Sequence, residues 1–221
     1  MVLATLPILG ERSWFFPEGS RFGDRHLWWD ESRKRAHPHE GIDFFSLLGP
    51  AAVQTVATGV IVALAPDFLG HSIWIRHPLA GGAAGCHLHS VYAHLRGQLA
   101  LAIGQELESG ELLGEVNFSP NIRSAPAHLH FSLAWLADTL HPGQLNWETI
   151  HRQAPGCFFD PLPWLKALGL KISDIGHGQK QQQFVARGLA SGDEARRTGV
   201  YFSEEEVLRG LDEILATSEG K

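Results

Sequence analysis

The chain has 221 residues, enough to bury one good core with terminal extensions. Hydrophobic residues make up 44% and charged residues 19%, which excludes a disordered chain. The net charge of −6 and the lack of any basic stripe argue against nucleic acid as a partner.

In chain order, residues 1–10 hold too short an apolar run for a signal peptide and lack a basic start. Nothing further along approaches the ~20 apolar residues of a membrane span. Residues 10–35 are rich in Trp, Phe, Arg and Gly without a clean period. They predict an extended arm anchored by Trp14, Phe15, Trp28 and Trp29. Short apolar or alternating runs then predict strands over 52–57, 59–65, 72–77, 88–95, 112–116 and 127–134. The 24 glycines and 12 prolines suit the tight turns between them. A loop over 138–157 carries His141, Asn146, Trp147 and His151, and 163–168 suits a short helix. Beyond Gly169 the composition turns polar. Ser203-Glu204-Glu205-Glu206 forms a capping box before a helical stripe of Val207, Leu208, Leu211, Ile214 and Leu215. Many strands without an intervening helical pattern point to a mostly β fold, an antiparallel sandwich or groove-shaped sheet. Three regions follow: an aromatic-rich arm over 1–34, a domain over 35–168 and an extension over 169–221 ending in an amphipathic helix.

Cys86 and Cys157 are too few for a disulfide scaffold or a cysteine-rich zinc site. One bridge between them is conceivable, but two small thiols are the favoured reading.

The chemistry lies in three short motifs. His128-Leu129-His130 sits in an apolar run, and strand alternation sends both imidazoles to one face with Leu129 and Phe131 on the other. Upstream, His39 and Asp43 share parity across Gly41, which has no side chain to block an ion. One nitrogen and one oxygen from this segment, with a nitrogen from the other, make three ligands. That is the protein share of a catalytic zinc site, which keeps its fourth position for water. Between the two, Val91-Tyr92-Ala93-His94-Leu95 alternates so that Tyr92 and His94 are expected on one face. His37 also shares parity with His39, but only His39 has the four-residue spacing to Asp43. His87 and His89 alternate beside Cys86, where a solvated strand end is favoured over a second metal site.

Taken in order, His39-x-x-x-Asp43, Tyr92-x-His94-Leu95 and His128-x-His130 resemble the lysostaphin/LytM-type zinc endopeptidases. The resemblance runs from about Arg35 to Leu165. It takes in the strand start Gly59-Val60-Ile61-Val62, the glycine-spaced segment from Gly104 through Gly110 to Gly114, and Asp160-Pro161-Leu162. It implies a LytM-type β fold and one zinc ion held by His39, Asp43 and His130. It also implies hydrolysis of peptide bonds in bacterial cell-wall peptidoglycan, and action in the cell envelope, periplasmic or extracellular. His94 and His128 then lie beside the water, one as general base and one as hydrogen-bond donor to the oxyanion, with the order open. Asn146 and Trp147 are candidates to line a substrate groove, and Tyr92 either touches substrate or packs. The family often has Gly-Pro before the H-x-H, where this chain has Ala125-Pro126-Ala127. A loop residue such as Asn117, or one from the arm, is conceivable as an internal fourth ligand in a latent enzyme.

The main alternative is a non-catalytic adaptor of the same fold that activates a separate amidase. Such adaptors generally lack metal ligands, whereas His39, Asp43 and His130 are all present. A cupin-type oxygenase is disfavoured because its downstream glutamate and distal histidine spacing is missing. The sequence carries no information on oligomeric state.

Overall fold

The structure is a computed structural model that describes residues 5–8, 16, 18–27, 30–45, 51–81, 85–96, 100–116, 128–154, 156–170, 197 and 199. The chain divides into two compact units, residues 1–180 and 181–221. The proposed aromatic anchors of the arm, Asn117, the Ala125-Pro126-Ala127 segment and the C-terminal helical stripe all lie outside the described residues.

Strands dominate the first unit. Within the arm, β1 (His26–Leu27) and β2 (Asp30–Lys34) pair as a two-stranded sheet. The main sheet comprises β3 (Ile42–Phe45), β4 (Ala51–Gln54), β5 (Gly59–Pro66), β6 (His71–Ala80), β7 (Cys86–Arg96), β8 (Glu106–Leu107), β9 (Leu112–Val116), β10 (His128–Ala137) and β11 (Phe158–Phe159). Its pairings are antiparallel, in the order β11-β10-β7-β6-β5-β8, with β3 beside β10 and β9 joining the end of β7 to β4. The helical elements are α1 (Ile150–Gln153), α2 (Leu162–Ala167) and a 3-10 turn at Pro142–Gln144, and Arg197 is also helical. No helix among the described residues is long and apolar enough to cross a membrane.

The expected mostly β architecture is therefore present, and all six predicted strands have counterparts. The first is shorter than expected, ending at Gln54. Strand β3 has all four residues buried, so it shows no alternation to read. The two-residue strands β8 and β11 are too short to leave a pattern.

β10 organises the interior because β7 flanks it on one side and β3 and β11 on the other. Its odd-numbered residues Leu129, Phe131 and Leu133 join Ile42, Phe44, Ile61 and Tyr92 in one core. The even-numbered Ala134 and Leu136 join Trp74, Val91, Leu145, Ile150 and Phe158 in a second. His128, His130 and Ser132 share that second face by strand alternation. The 138–157 segment thus covers the apolar end of the face through Leu145 and Ile150, and the histidine end opens on a cleft.

One irregularity in β7 decides which side chains reach that cleft. The register with β6 passes from Ile73 opposite Tyr92 to His71 opposite Leu95, so Ser72 faces two residues, Ala93 and His94. Such a bulge adds one residue to a strand and re-aims its side chains. Among the described non-glycine residues, His94 alone has a positive φ, 68°. Parity flips there: Tyr92 and Leu95 both enter the first core, while His94 lines the cleft. The expectation that Tyr92 and His94 share a face is corrected by this extra residue.

The two cysteines are free. Cys86 pairs with Ala137 on one side of β10, and the Cys157 carbonyl accepts from the Trp135 N–H on the other. Two strand spacings, about 9.6 Å, separate such positions, beyond the reach of a disulfide. Burial pushes the Cys157 thiol up to about 12.

Candidate metal centre

The antiparallel register of β3 on β10 places Asp43 directly opposite His130. His39, just before β3, is pinned by its backbone: its N–H donates to Asp24 O at 2.8 Å and its carbonyl accepts from Gly23 N at 2.8 Å. These three buried side chains meet in a small triangle. His39 Nε2 lies 3.1 Å from Asp43 Oδ1 and 2.9 Å from His130 Nδ1, and His130 Nδ1 lies 2.8 Å from Asp43 Oδ1. Gly41 lets β3 approach this closely. A Cβ there would stand 2.5 Å from Phe131 O and Ser132 Oγ, and 2.8 Å from His130 Nε2. The sequence motive for Gly41, room for an ion, is thus replaced by room for β10 itself.

The outer nitrogens fix the chemistry of the inner ones. His39 Nδ1 is 3.0 Å from Arg21 O. A carbonyl only accepts, so the proton is on Nδ1 and the neutral ring presents a lone pair at Nε2. His130 Nε2 is 3.0 Å from Ser132 Oγ, which leaves Nδ1 as the inward atom. Burial lowers His130 to about 4, with Asp43 opposing, so the ring is neutral at physiological pH. Burial also works against ionising Asp43, but the adjoining His39 and His130 rings hold it well below the usual carboxylate range. Arg35 stands 3.8 Å from its other oxygen. Two lone pairs and a carboxylate oxygen converging within 4.8 Å form a donor set that a divalent cation satisfies. Zinc takes such imidazole and carboxylate donors, so His39, Asp43 and His130 are the residues that would hold it.

Two more imidazoles stand beside the triangle. The His94 ring centroid is 4.9 Å from that of His128 and 5.9 Å from that of His130. His128 stacks on Phe45 at 5.2 Å, and Phe68 meets His94 edge-on at 4.8 Å. The imidazoles and Phe68 line a cleft of about 1030 Å³ walled by the 35–40 segment, by 64–68 and by 142–148.

Residues 37–142 match the family model described as Peptidase family M23. The match places an M23 peptidase domain in this stretch, which is just under half of the chain. Its fold is similar to that of LytM from Ruminococcus gnavus, at 19% identity and TM-score 0.52 over 79% of this chain and 64% of that one. A zinc-containing peptidase from Vibrio cholerae is matched at 18% identity and TM-score 0.45, over 61% of this chain and 37% of that one. The catalytic domain of the antimicrobial peptidase lysostaphin from Staphylococcus simulans is matched at 20% identity and TM-score 0.42, over 71% and 90%. The chain therefore spans less than two thirds of the Ruminococcus and Vibrio proteins. No curated protein sequence matches it.

Within the M23 domain, the other expected site residues separate. Trp147 lines the cleft, edge-on to His130 at 5.1 Å and stacked on Phe158 at 5.8 Å. Asn146 also lines it, but its amide holds the loop, donating to Gly143 O and accepting from the Glu148 and Thr149 N–H groups. Tyr92 is corrected from a substrate contact to a core residue. It is fully buried, and its hydroxyl accepts from Val56 N at 2.8 Å. His37 is exposed on the cleft rim. His87 Nδ1 lies 2.9 Å from Asp138 Oδ1, away from the ligand cluster.

The sequence reasoning missed Asp67 in the M23 domain. Its side chain is 1% exposed and binds both the Nδ1 and the backbone N–H of His94, at 3.1 and 2.9 Å. Burial opposes its ionisation, but His94 and the Ser72 hydroxyl hold its carboxyl far below the usual range. Asp67-Phe68-Leu69-Gly70 carries a turn signal, yet nothing local links it to a histidine 27 positions away.

Proposed function

We propose that this protein is a zinc-dependent endopeptidase that hydrolyses peptide bonds in bacterial cell-wall peptidoglycan. One observation carries the reading: His39, Asp43 and His130 converge as a three-atom donor set at an open cleft, with His94 and His128 beside them. The match to a peptidase family supports peptide hydrolysis, and the ordered motifs support the cell-wall substrate. The cleft of about 1030 Å³ has the volume to take several residues of a peptide.

When bound, zinc supplies a water acidified from 15.7 toward ~7 and a charge that polarises the scissile carbonyl. The protein's own groups do the rest. One of His94 and His128 takes the proton of the attacking water, and the other donates a hydrogen bond to the developing oxyanion. Trp147 shapes one wall and covers His130. We assign the peptidase domain to residues 35–168, with the arm over 1–34 and the extension over 169–221, and place its action in the cell envelope.

Metal analysis together with incubation on defined muropeptides, products read by mass, tests this. One zinc per chain and a cleaved peptide bond are expected. Zinc-loaded protein that leaves every muropeptide intact overturns the endopeptidase reading and favours an adaptor for a separate amidase.

A further inference from the structure

The bulge in β7 creates a problem that one carboxylate solves. An extra residue leaves the His94 N–H off the ladder, and a left-handed conformation strains a residue with a Cβ. Asp67 Oδ2 takes that N–H at 2.9 Å, and Oδ1 of the same carboxylate lies 3.1 Å from His94 Nδ1. A single side chain therefore fixes both the backbone and the ring of His94.

Asp67 is itself held firmly. Leu69 N and Gly70 N donate to Oδ1 at 2.9 and 2.7 Å, and Ser72 Oγ donates to Oδ2 at 2.8 Å. With five donors on two oxygens, the carboxyl has no place for a proton of its own. The turn carrying it presses on β7 so closely that a Cβ at Gly70 would stand 2.3 Å from Leu95 O. Ser72 Oγ also accepts the Trp147 indole N–H at 2.8 Å, which ties the cleft wall to the same carboxylate.

We propose that Asp67 is a positioning residue that fixes His94 as its Nδ1–H tautomer, and that His94, through Nε2, is the group that takes the proton during peptide hydrolysis. An ionised carboxylate only accepts, so Nδ1 carries the hydrogen, and in the neutral ring Nε2 holds the lone pair. In the reaction the water oxygen bonds to the carbonyl carbon and the C–N bond breaks. The proton taken by Nε2 passes to the leaving nitrogen. Asp67 faces the imidazolium in between, as an orienting carboxylate does in hydrolytic triads. His128 is then the oxyanion donor. The assignment rests on the endopeptidase reading for its chemical role, but the tautomer does not.

Long-range ¹H–¹⁵N correlation of the imidazoles in the zinc-loaded full chain reads the tautomer directly. Wild type should show His94 protonated at Nδ1 and bare at Nε2; the opposite tautomer overturns the proposal whether or not any substrate is known. In the second arm, Asp67→Asn keeps the shape and removes the charge. Its kcat should fall at least ~100-fold, given that the same exchange costs ~10⁴ in a serine-protease triad, with KM and zinc content unchanged. Wild-type kcat in a folded Asp67→Asn variant overturns the proposal. So does a fall in kcat that tracks zinc loss or a rise in KM, since that marks a role in holding the turn alone. Should Asp67→Asn fail to fold, the wild-type tautomer decides. If wild type cleaves no muropeptide, the endopeptidase reading fails while the tautomer still tests the Asp67 clamp.

Discussion

β7 carries buried histidine chemistry on both of its faces, and the two sides are built on opposite principles. On the core side, His77 Nδ1 donates to Thr58 O at 2.9 Å and its Nε2 accepts from Ser90 Oγ at 2.8 Å. Ser90 Oγ also lies 3.2 Å from the Tyr92 hydroxyl, which accepts from Val56 N. Each ring nitrogen has its own partner, and no atom of His77, Ser90 or Tyr92 reaches solvent. Burial keeps His77 below its ordinary range and pushes the Tyr92 phenol up to about 12. On the cleft side, His39 and His130 each spend one nitrogen on a protein partner and aim the other at a shared point with Asp43. Burial alone therefore does not distinguish a structural histidine from a ligand. Saturation does: complementary donors and acceptors close a network, whereas convergent acceptors call for a cation.

The largest break in this comparison comes from removing a convergent atom. His130→Ala should lose the metal and drop hydrolysis by more than ~10⁴-fold, to background, because the acidified water goes with the ion. Zinc content and muropeptide cleavage, measured on the same sample, check both halves. His128→Ala should keep a full complement of zinc and lose roughly 10²–10⁴-fold in kcat, the scale of a lost proton-transfer or hydrogen-bonding group. If the two variants behaved alike in metal content, the division of this cleft into ligands and reacting histidines would fail.

The same contrast explains what was legible in the sequence. Periodicity exposed the long strands, since β5 and β10 alternate or run apolar for eight and ten residues. The shared face of His128 and His130 was legible because the alternation of β10 is a simple period-two fact, whereas β3 beside it showed no alternation to read. The failures share one cause. The parity of Tyr92 and His94 was misread because a bulge inserts a residue, and a bulge depends on the partner strand rather than on local composition. Asp67 stayed hidden because its partner is far along the chain, and a turn-forming aspartate is common. Asn146 does line the cleft, and what the sequence left unread is that its amide also holds the loop.

A smaller effect comes through pH, at a buried histidine that belongs to neither network. His89, further along β7 and 4% exposed, is lowered to about 4 by burial, with the His87 carbonyl opposing. A depressed folded pKa means that its stability is fully present above the unfolded value of ~6.5 and is lost as pH falls toward 4. Between pH 7.5 and 5, urea unfolding of wild type should lose about 2 kcal/mol more than that of His89→Gln. Equal losses would mean that His89 charges in place.

The smallest effect isolates saturation itself. Ser90→Ala removes one hydroxyl from the His77–Ser90–Tyr92 chain, leaving His77 Nε2 without its donor in a site closed to water. A buried acceptor stripped of its partner costs about 1–2 kcal/mol, so the urea midpoint should fall by that amount with an unchanged slope. Zinc content and kcat should stay at wild-type values, because nothing in this chain converges on the cleft. His77 and Ser90 have the spacing of a base–nucleophile pair, and only their enclosure argues against that role. A loss of hydrolysis in Ser90→Ala without loss of stability would therefore show that the core face of β7 takes part in the chemistry, and that saturation is no guide to function here.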